Sequence, residues 1–157
     1  MAEDAIAAVS RALRDIVAEA LVQEPALVEK PEHVVLSSPA EIPRDRHARL
    51  AVFLYRVNEH VLSRPEAMEI RGPLGFALSY VLAPVGPDAV RCQQMLGRVL
   101  RVLHASGTQR IAQVGGEVEI RLLRHSLEEA LQLWTALQTP FTCALYYDVR
   151  IVQLGDA

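Results

Sequence analysis

The chain has 157 residues, of which 51% are hydrophobic and 22% are charged. A chain of about 150 residues forms one domain whose core is large enough to fold without a disulfide framework or a structural metal. The formal net charge of −3 provides no general attraction to nucleic acid or to an anionic membrane. No apolar run reaches the roughly 18 residues of a transmembrane helix, and two cysteines cannot form a disulfide framework. We therefore expect a single soluble domain over residues 1–157 that folds in a reducing compartment.

The first half of the chain predicts one helix and two strands. Apolar residues recur at steps of three and four over residues 6–21, which is typical of a helix with one buried face. Residues 33–37 resemble a short strand inside a proline-rich stretch. Apolar residues at both parities over 50–57 predict a strand that is covered on both faces, and we expect Asn58 and Glu59 to end it.

The middle of the chain predicts a strand followed by a capped helix. Residues 74–82 alternate between large apolar and small side chains, so one face permits close approach of a helix or another subunit. Asp88 can cap a helix that runs to about His104. The inner face of this helix is expected to carry Cys92, Leu96, Val99 and Leu103. A basic stripe on another side consists of Arg91, Gln94, Arg98 and Arg101. Such a stripe is either a solvated face or a contact for an acidic partner.

The last third predicts a short strand over 118–122, a helix and a final strand over 141–152. Ser126 and Glu129 form the pattern of a capping box, in which each side chain bonds to the other's backbone. The apolar stripe of this helix is expected to be Leu127, Ala130, Leu131, Trp134 and Leu137. On the final strand we expect Cys143 to be buried. We expect this strand to be paired within the fold, with Tyr146, Asp148 and Arg150 facing outward on an exposed edge or face that meets a partner.

Helical and strand patterns alternate without repeats or linkers. The sequence therefore predicts an α/β (α+β) single domain, with a mixed β-sheet of about four to five strands packed by about three helices.

The sequence contains no recognisable catalytic motif. The five histidines are not spaced as zinc ligands are, and both cysteines lie on apolar patterns, where they are typical of small buried hydrophobes. There is no glycine-rich phosphate loop and no nucleophile elbow. Aromatic residues are only 5%, too few to interleave with basic residues on a nucleic-acid surface. We expect no enzyme, no cofactor, no metal and no nucleic-acid partner. A metal site assembled from distant residues stays open as an alternative.

Three segments together resemble one known family. They are LAVFLYRVNEHVLSRP, then GPLGFALSYVLAP with LGRVLRVLH after it, and finally SLEEALQLWTALQTPFTCALYYDVRIV. In this order and spacing they resemble the N-terminal domain of the cap proteins of extracellular contractile injection systems, which are phage-tail-like particles. The resemblance covers about residues 5–154 and is most specific in the last segment. That segment has a capped helix with a tryptophan, a Thr-Pro break and a strand of Tyr-x-Asp/Glu-Val type.

This resemblance implies a tail-terminator-like fold and a structural role. The family implies a ring, a hexamer, at the distal end of the inner tube and the contractile sheath, where it ends polymerisation and holds the sheath extended. It implies assembly in the cytoplasm as part of a particle that can be released from the cell, and it brings no cofactor. Better-known caps carry a further C-terminal domain beyond the part that corresponds to this chain.

Two other hypotheses are compatible with the sequence. One is an adaptor or anchor that links the particle to a membrane or to another component, although nothing in this chain supports membrane contact. The other is a small-molecule enzyme whose site has no sequence signature.

A ring with head-to-tail contacts needs two different surfaces on each subunit. We expect them in the connector at 58–73, on the basic stripe and on the final strand, and the alternative is that all three are ordinary solvated surface. The candidate assembly residues are Arg56, Asn58, Glu59, Arg91, Arg98, Arg101, Tyr146, Asp148 and Arg150.

Overall fold

The computed structural model describes residues 2–60 and 75–151. Within them the helices are α1 (Ala5–Val22), α2 (Ala89–Ala105) and α3 (Leu127–Leu137). The strands are β1 (Val34–Val35), β2 (Arg49–His60), β3 (Gly75–Val85), β4 (Thr108–Ile111), β5 (Gly116–Leu122) and β6 (Leu145–Ile151). Most of the expected connector, residues 61–73, lies outside the described residues, as do Leu74 and Val152 at the ends of two predicted strands.

The strands form one mixed sheet in the order β1-β2-β3-β6-β5-β4. β1 is parallel to β2, and the other neighbouring pairs are antiparallel. The predicted fold class is therefore confirmed, with six strands rather than four to five. The additional strand is β4, a short edge strand in which only Ile111 is buried. Because the prediction relied on apolar patterns, it missed this mainly polar strand.

Helices α1 and α2 cover one face of the sheet and bury the main core, which includes Leu13 of α1 and Tyr80 of β3. Asp88 caps α2 as predicted, because its side chain accepts hydrogen bonds from two backbone N–H groups of the first turn. The inner face of α2 is shifted from the expected one. Met95 is fully buried with Val99, whereas Cys92 is only half-buried. Met95 is four residues before Val99 and so lies on the same face, which the expected stripe overlooked.

Helix α3 packs on the opposite face of the sheet, over a second and smaller core. The capping box is formed as predicted, with the Glu129 N–H donating to Ser126 Oγ. The expected apolar stripe is wrong in two positions, because Leu127 and Leu131 are 66% and 44% exposed. The expected burial of the other stripe residues Ala130 and Trp134 is confirmed, and Leu137 is half-buried.

The final strand differs from its prediction in its edges and in which side chains are buried. β6 pairs with β3 on one side and with β5 on the other, so it is an internal strand with no free edge. Tyr146 and Asp148 are buried, so the expectation that they face outward is wrong. The free-edge expectation assumed that the last strand of a chain lies at the edge of the sheet. Cys143 precedes β6 and is exposed, against the expectation that it is buried.

Candidate assembly surfaces

Polar side chains meet on the α3 side of the sheet, beyond the part that α3 covers. Residues directly opposite each other in antiparallel strands point to the same face, so the pairing register fixes which side chains are neighbours. Moving away from α3, the next row across the sheet is Arg56, Ser79, Asp148 and Arg121, and the row after it is Asn58, Ala77, Arg150 and Glu119. We refer to the six larger polar residues of these two rows as the polar sheet face: Arg56, Asn58, Glu119, Arg121, Asp148 and Arg150.

The polar sheet face brings together four residues that the sequence predicted on two separate strands: Arg56, Asn58, Asp148 and Arg150. The fifth candidate of this region, Glu59, is the next residue after Asn58 and points to the other face of β2. Within the patch, Arg56 Nε donates a hydrogen bond to Asn58 Oδ1 at 3.1 Å. The sequence interpretation thus selected four residues that lie together in the fold. The free strand edge that it expected beside Asp148 and Arg150 does not exist.

The sequence interpretation missed Glu119 and Arg121, which complete this surface on β5. Both are exposed, and Arg121 Nε lies 3.6 Å from Glu119 Oε1. The signal for them was present, because they alternate with three apolar residues on a predicted strand and must point away from the main core.

Asp148 lies at the centre of the polar sheet face and is 7% exposed. Its Oδ1 accepts a hydrogen bond from Ser79 Oγ at 3.2 Å, while its Oδ2 is 3.7 Å from Arg150 Nε. That Nε is buried and makes no hydrogen bond within the described residues. A buried charge needs close, well-aligned partners. Within the described part of the chain, the ion pair of Asp148 and Arg150 is therefore incompletely satisfied.

Aromatic side chains support the polar sheet face at its border with α3. Trp134 Nε1 donates to the hydroxyl oxygen of Tyr146 at 2.9 Å. The ring of His125 meets Tyr146 edge to face at a centroid distance of 4.7 Å. Burial raises the pKa of Tyr146, so its hydroxyl stays neutral at physiological pH.

A chain of polar contacts leads from this border to the start of α3. The Tyr55 hydroxyl and His125 Nε2 are 2.9 Å apart, and His125 Nδ1 is 3.3 Å from Glu129 Oε2. Burial, with a contribution from the Asp148 carboxylate, raises the pKa of Tyr55 to about 12. A hydrogen bond from the Ser126 backbone lowers the pKa of Glu129, with His125 contributing. These contacts connect Tyr55 of β2 to the first turn of α3 through His125.

The outer edge of β2 is a second candidate surface. β1 pairs only with Leu50 and Ala51, so no described residue pairs with the rest of that edge. The pairing of β2 with β3 shifts register between Leu54 and Arg56, which is the mark of a β-bulge at Tyr55. An edge strand presents unpaired backbone groups to which another chain can add a strand.

The basic stripe on α2 divides into two kinds of arginine. The guanidinium of Arg98 donates to the carbonyl oxygens of Ala20, Gln23 and Pro25 at distances from 2.8 to 3.2 Å. These carbonyls end α1 and begin the following loop, so Arg98 joins the two helices. Arg91 and Arg101 are exposed and flank a shallow groove beside this loop. These two arginines remain available to a partner.

The outer side of α3 carries a small apolar ridge formed by Leu127 and Leu131. The two residues are one helical turn apart and therefore adjacent on the surface. This exposed apolar area is available for contact with a partner.

The described part of the chain offers little that suggests catalysis. Cys92 is half-buried, and burial raises the pKa of its thiol, which is the opposite of an activated nucleophile. Within residues 2–60 and 75–151, none of the helices combines the length and apolar character needed to cross a membrane.

Comparison with known proteins agrees with this fold. A sequence model of the family described as the Pvc16 N-terminal domain matches residues 8–157. No curated protein sequence matches the chain.

Two of the solved structures that are similar to the chain each share 19% sequence identity with it. The first is a PVC sheath/tube terminator of an extracellular contractile injection system in the extended state, with a TM-score of 0.68 over 96% of this chain and 57% of that one. The second is the anti-feeding prophage cap, a tube-terminating cap, with a TM-score of 0.51 over 71% of this chain and 45% of that one. The chain therefore spans about half the length of each structure that it resembles.

Proposed function

Because this chain belongs to the Pvc16 N-terminal domain family, we propose that it is a structural terminator, or cap, of a contractile injection particle. In this role it ends the polymerisation of the inner tube and sheath and stabilises the extended particle. The work is done by binding, and no catalytic step is assigned to it. The observation that carries the proposal is the shared fold over 96% of the chain with a sheath/tube terminator.

The cap acts as a closed ring, which we propose to be a hexamer. A head-to-tail ring joins two different surfaces of neighbouring subunits. The polar sheet face is the first surface, because its charges are of mixed sign and its central ion pair lacks full satisfaction. Charged contacts of this kind fix register and partner choice more than they add affinity. The apolar ridge of Leu127 and Leu131 is the second surface, because it has exposed apolar area to bury.

Sheath and inner-tube subunits are the proposed partners at the particle end. The open edge of β2 supports this assignment, because strand addition needs only backbone groups and suits a partner that must be captured at one place. Arg91 and Arg101 supply positive charge on a different side of the subunit and suit an acidic surface. The proposed sequence of events is assembly in the cytoplasm followed by release as part of the particle.

The decisive experiment removes this chain from a cell that produces the particles. We expect sheaths of uncontrolled length or prematurely contracted sheaths, and restoration of a single length when the native gene is supplied again. Electron microscopy of purified particles measures the length distribution.

The same experiment separates the adaptor hypothesis from the terminator. Particles of normal length that lose their attachment to a membrane or to another component would contradict a terminator and support an adaptor. A solution mass that corresponds to a closed ring, measured by light scattering on the purified chain, would support the cap independently of the cell.

A further inference from the structure

Three side chains of the types that commonly bind transition metals lie together at the end of the sheet where β1 and β2 begin. Glu29, His33 and His47 each place one ligand atom within 4.8 Å of the others. His47 Nδ1 lies 3.3 Å from Glu29 Oε2, and the two imidazole rings have centroids 5.3 Å apart. Two imidazoles and one carboxylate form a common ligand set for zinc. We propose that these three residues bind one zinc ion.

The strongest support comes from buried nitrogen atoms that lack partners. His33 is 7% exposed, and its Nδ1 is buried and makes no hydrogen bond within the described residues. His47 Nδ1 is likewise buried and makes no hydrogen bond within the described residues, although it lies 3.3 Å from Glu29 Oε2. Buried polar atoms in native proteins are almost always satisfied, and an ion is one explanation for those that are not. A zinc ion bound through Nδ1 of both histidines would satisfy both nitrogens at once.

The backbone around the two histidines is held firmly, as a metal site requires. Arg14 donates hydrogen bonds to carbonyl oxygens on both sides of His33, those of Pro31 and Val34. The N–H of His47 donates to Asp45 Oδ1 at 2.9 Å. Residues that fix the orientation of ligands typically raise metal affinity by 10- to 100-fold.

The cations nearest the site, Arg49 and Lys30, oppose a bound dication. Asp45 holds Arg49 in a two-pronged ion pair at 2.7 and 3.1 Å and so offsets its charge.

Ligand atoms around a tetrahedral zinc ion are about 3.3 Å apart, given metal–ligand bonds of about 2.0–2.1 Å. The distance from His47 Nδ1 to Glu29 Oε2 already has this value, and the ligand atoms of all three residues lie within 4.8 Å of one another. Water fills the fourth position. The ion would tie residues 29–33 to the start of β2 and so hold β1, which has only two pairing residues, against the sheet.

Titration calorimetry of the EDTA-treated chain with zinc tests the proposal. We expect one zinc ion per chain for the native protein and at least tenfold weaker binding for Glu29→Gln and His47→Gln. Glu29 is exposed, so Glu29→Gln should keep the fold even if a histidine variant does not. His104→Gln, which changes an exposed histidine on α2, should bind zinc like the native protein.

Cobalt(II) provides a second measurement that identifies the ligands. The native chain should give the visible bands of tetrahedral cobalt without the near-ultraviolet band of a cobalt–thiolate bond. The proposal is overturned if the native chain shows no saturable binding, if Glu29→Gln and His47→Gln both bind as tightly as His104→Gln, or if a thiolate band shows that Cys92 or Cys143 holds the ion. Because the particle length is not measured, this test fails or succeeds independently of the proposed cap function.

Discussion

Trp134 on α3 and Tyr146 on β6 are joined by a hydrogen bond of 2.9 Å from the indole nitrogen to the phenolic oxygen, and 3% of the tryptophan is exposed. The contact connects the capped helix to the centre of the sheet, next to the polar sheet face. Because the chain contains a single tryptophan, its fluorescence reports on the second core alone, and mutations there can be tested directly.

Trp134→Ala should lower the free energy of unfolding by about 3–5 kcal/mol, as loss of a large buried aromatic does. Trp134→Phe should cost about 1–3 kcal/mol, because the buried Tyr146 hydroxyl loses its donor. Urea denaturation followed by circular dichroism measures both. Gln132→Ala on the exposed side of α3 is the matched control and should cost less than about 0.5 kcal/mol. A solvent-exposed emission maximum of Trp134 in the native protein would contradict its burial.

Ser126→Ala should destabilise the chain by about 0.5–2 kcal/mol, because it removes the side chain that accepts the Glu129 N–H at the start of α3. Thermal unfolding measures the effect. Ser126→Asp retains a capping oxygen and should recover most of the loss. Equal melting temperatures for the alanine variant and the native protein would show that this cap contributes nothing.

Arg98→Ala should destabilise the chain by roughly 1 kcal/mol, since charge-assisted hydrogen bonds to the carbonyl oxygens of Ala20, Gln23 and Pro25 are lost between α1 and α2. Arg101→Ala, one turn away on the same stripe but exposed, should be nearly neutral. Denaturant unfolding of the two variants distinguishes a structural arginine from a solvated one. If both variants behave alike, Arg98 does not join the helices.

All four tyrosines should resist ionisation in the folded chain, because burial raises the pKa of each. The values are about 12 for Tyr55, Tyr80 and Tyr147, and Tyr146 is shifted in the same direction. A raised folded pKa gives stability that is complete below the unfolded value of 10.0 and is lost as the pH rises towards 12. Ultraviolet absorbance should therefore show little phenolate at pH 10.0 in the native protein and about half in urea. Half-ionised tyrosines in the native protein at that pH would contradict their burial.

Reversing the exposed charges of the polar sheet face should impair assembly without unfolding the subunit. Arg56→Glu with Arg121→Glu keeps Asp148 and Arg150, but Arg121 lies opposite the buried Asp148, so we expect a loss of about 1 kcal/mol or less per site and a subunit that stays folded. Ring formation in light scattering, and uniform particle length in electron microscopy, should both be lost. Arg110→Glu on β4 is the matched control, and normal rings from the double variant would mean that the polar sheet face is ordinary surface.

Local features could be predicted from the sequence, because their causes are local. Asp88 and Ser126 cap helices through hydrogen bonds within three residues, and both caps are present. The face of α3 could not be chosen in the same way. Leu131 and Trp134 are both apolar, and only the shape of the sheet beneath decides which of the neighbouring faces is buried.

Contacts between distant segments could not be predicted, because they depend on strand order. Nothing in the chain order shows that β6 lies inside the sheet, and this placement buries Asp148. The same applies to Glu29, His33 and His47. Their spacing along the chain gives no metal pattern, and they meet only because β1 pairs in parallel with the start of β2.

The bulge at Tyr55 has a consequence for how this surface can change. Before the bulge Leu54 points to the main core, and strict alternation would send Arg56 to the same side. The additional residue reverses that parity, so Arg56 and Asn58 reach the polar sheet face, while Val57 points to the side of Leu78. Loss of the bulge with all residues kept would exchange the two faces of the distal half of β2, whereas deletion of Tyr55 would leave Arg56 opposite Ser79 and each face as it is. The bulge is thus what allows the apolar face of the first half of β2 and the polar sheet face to coexist on one strand.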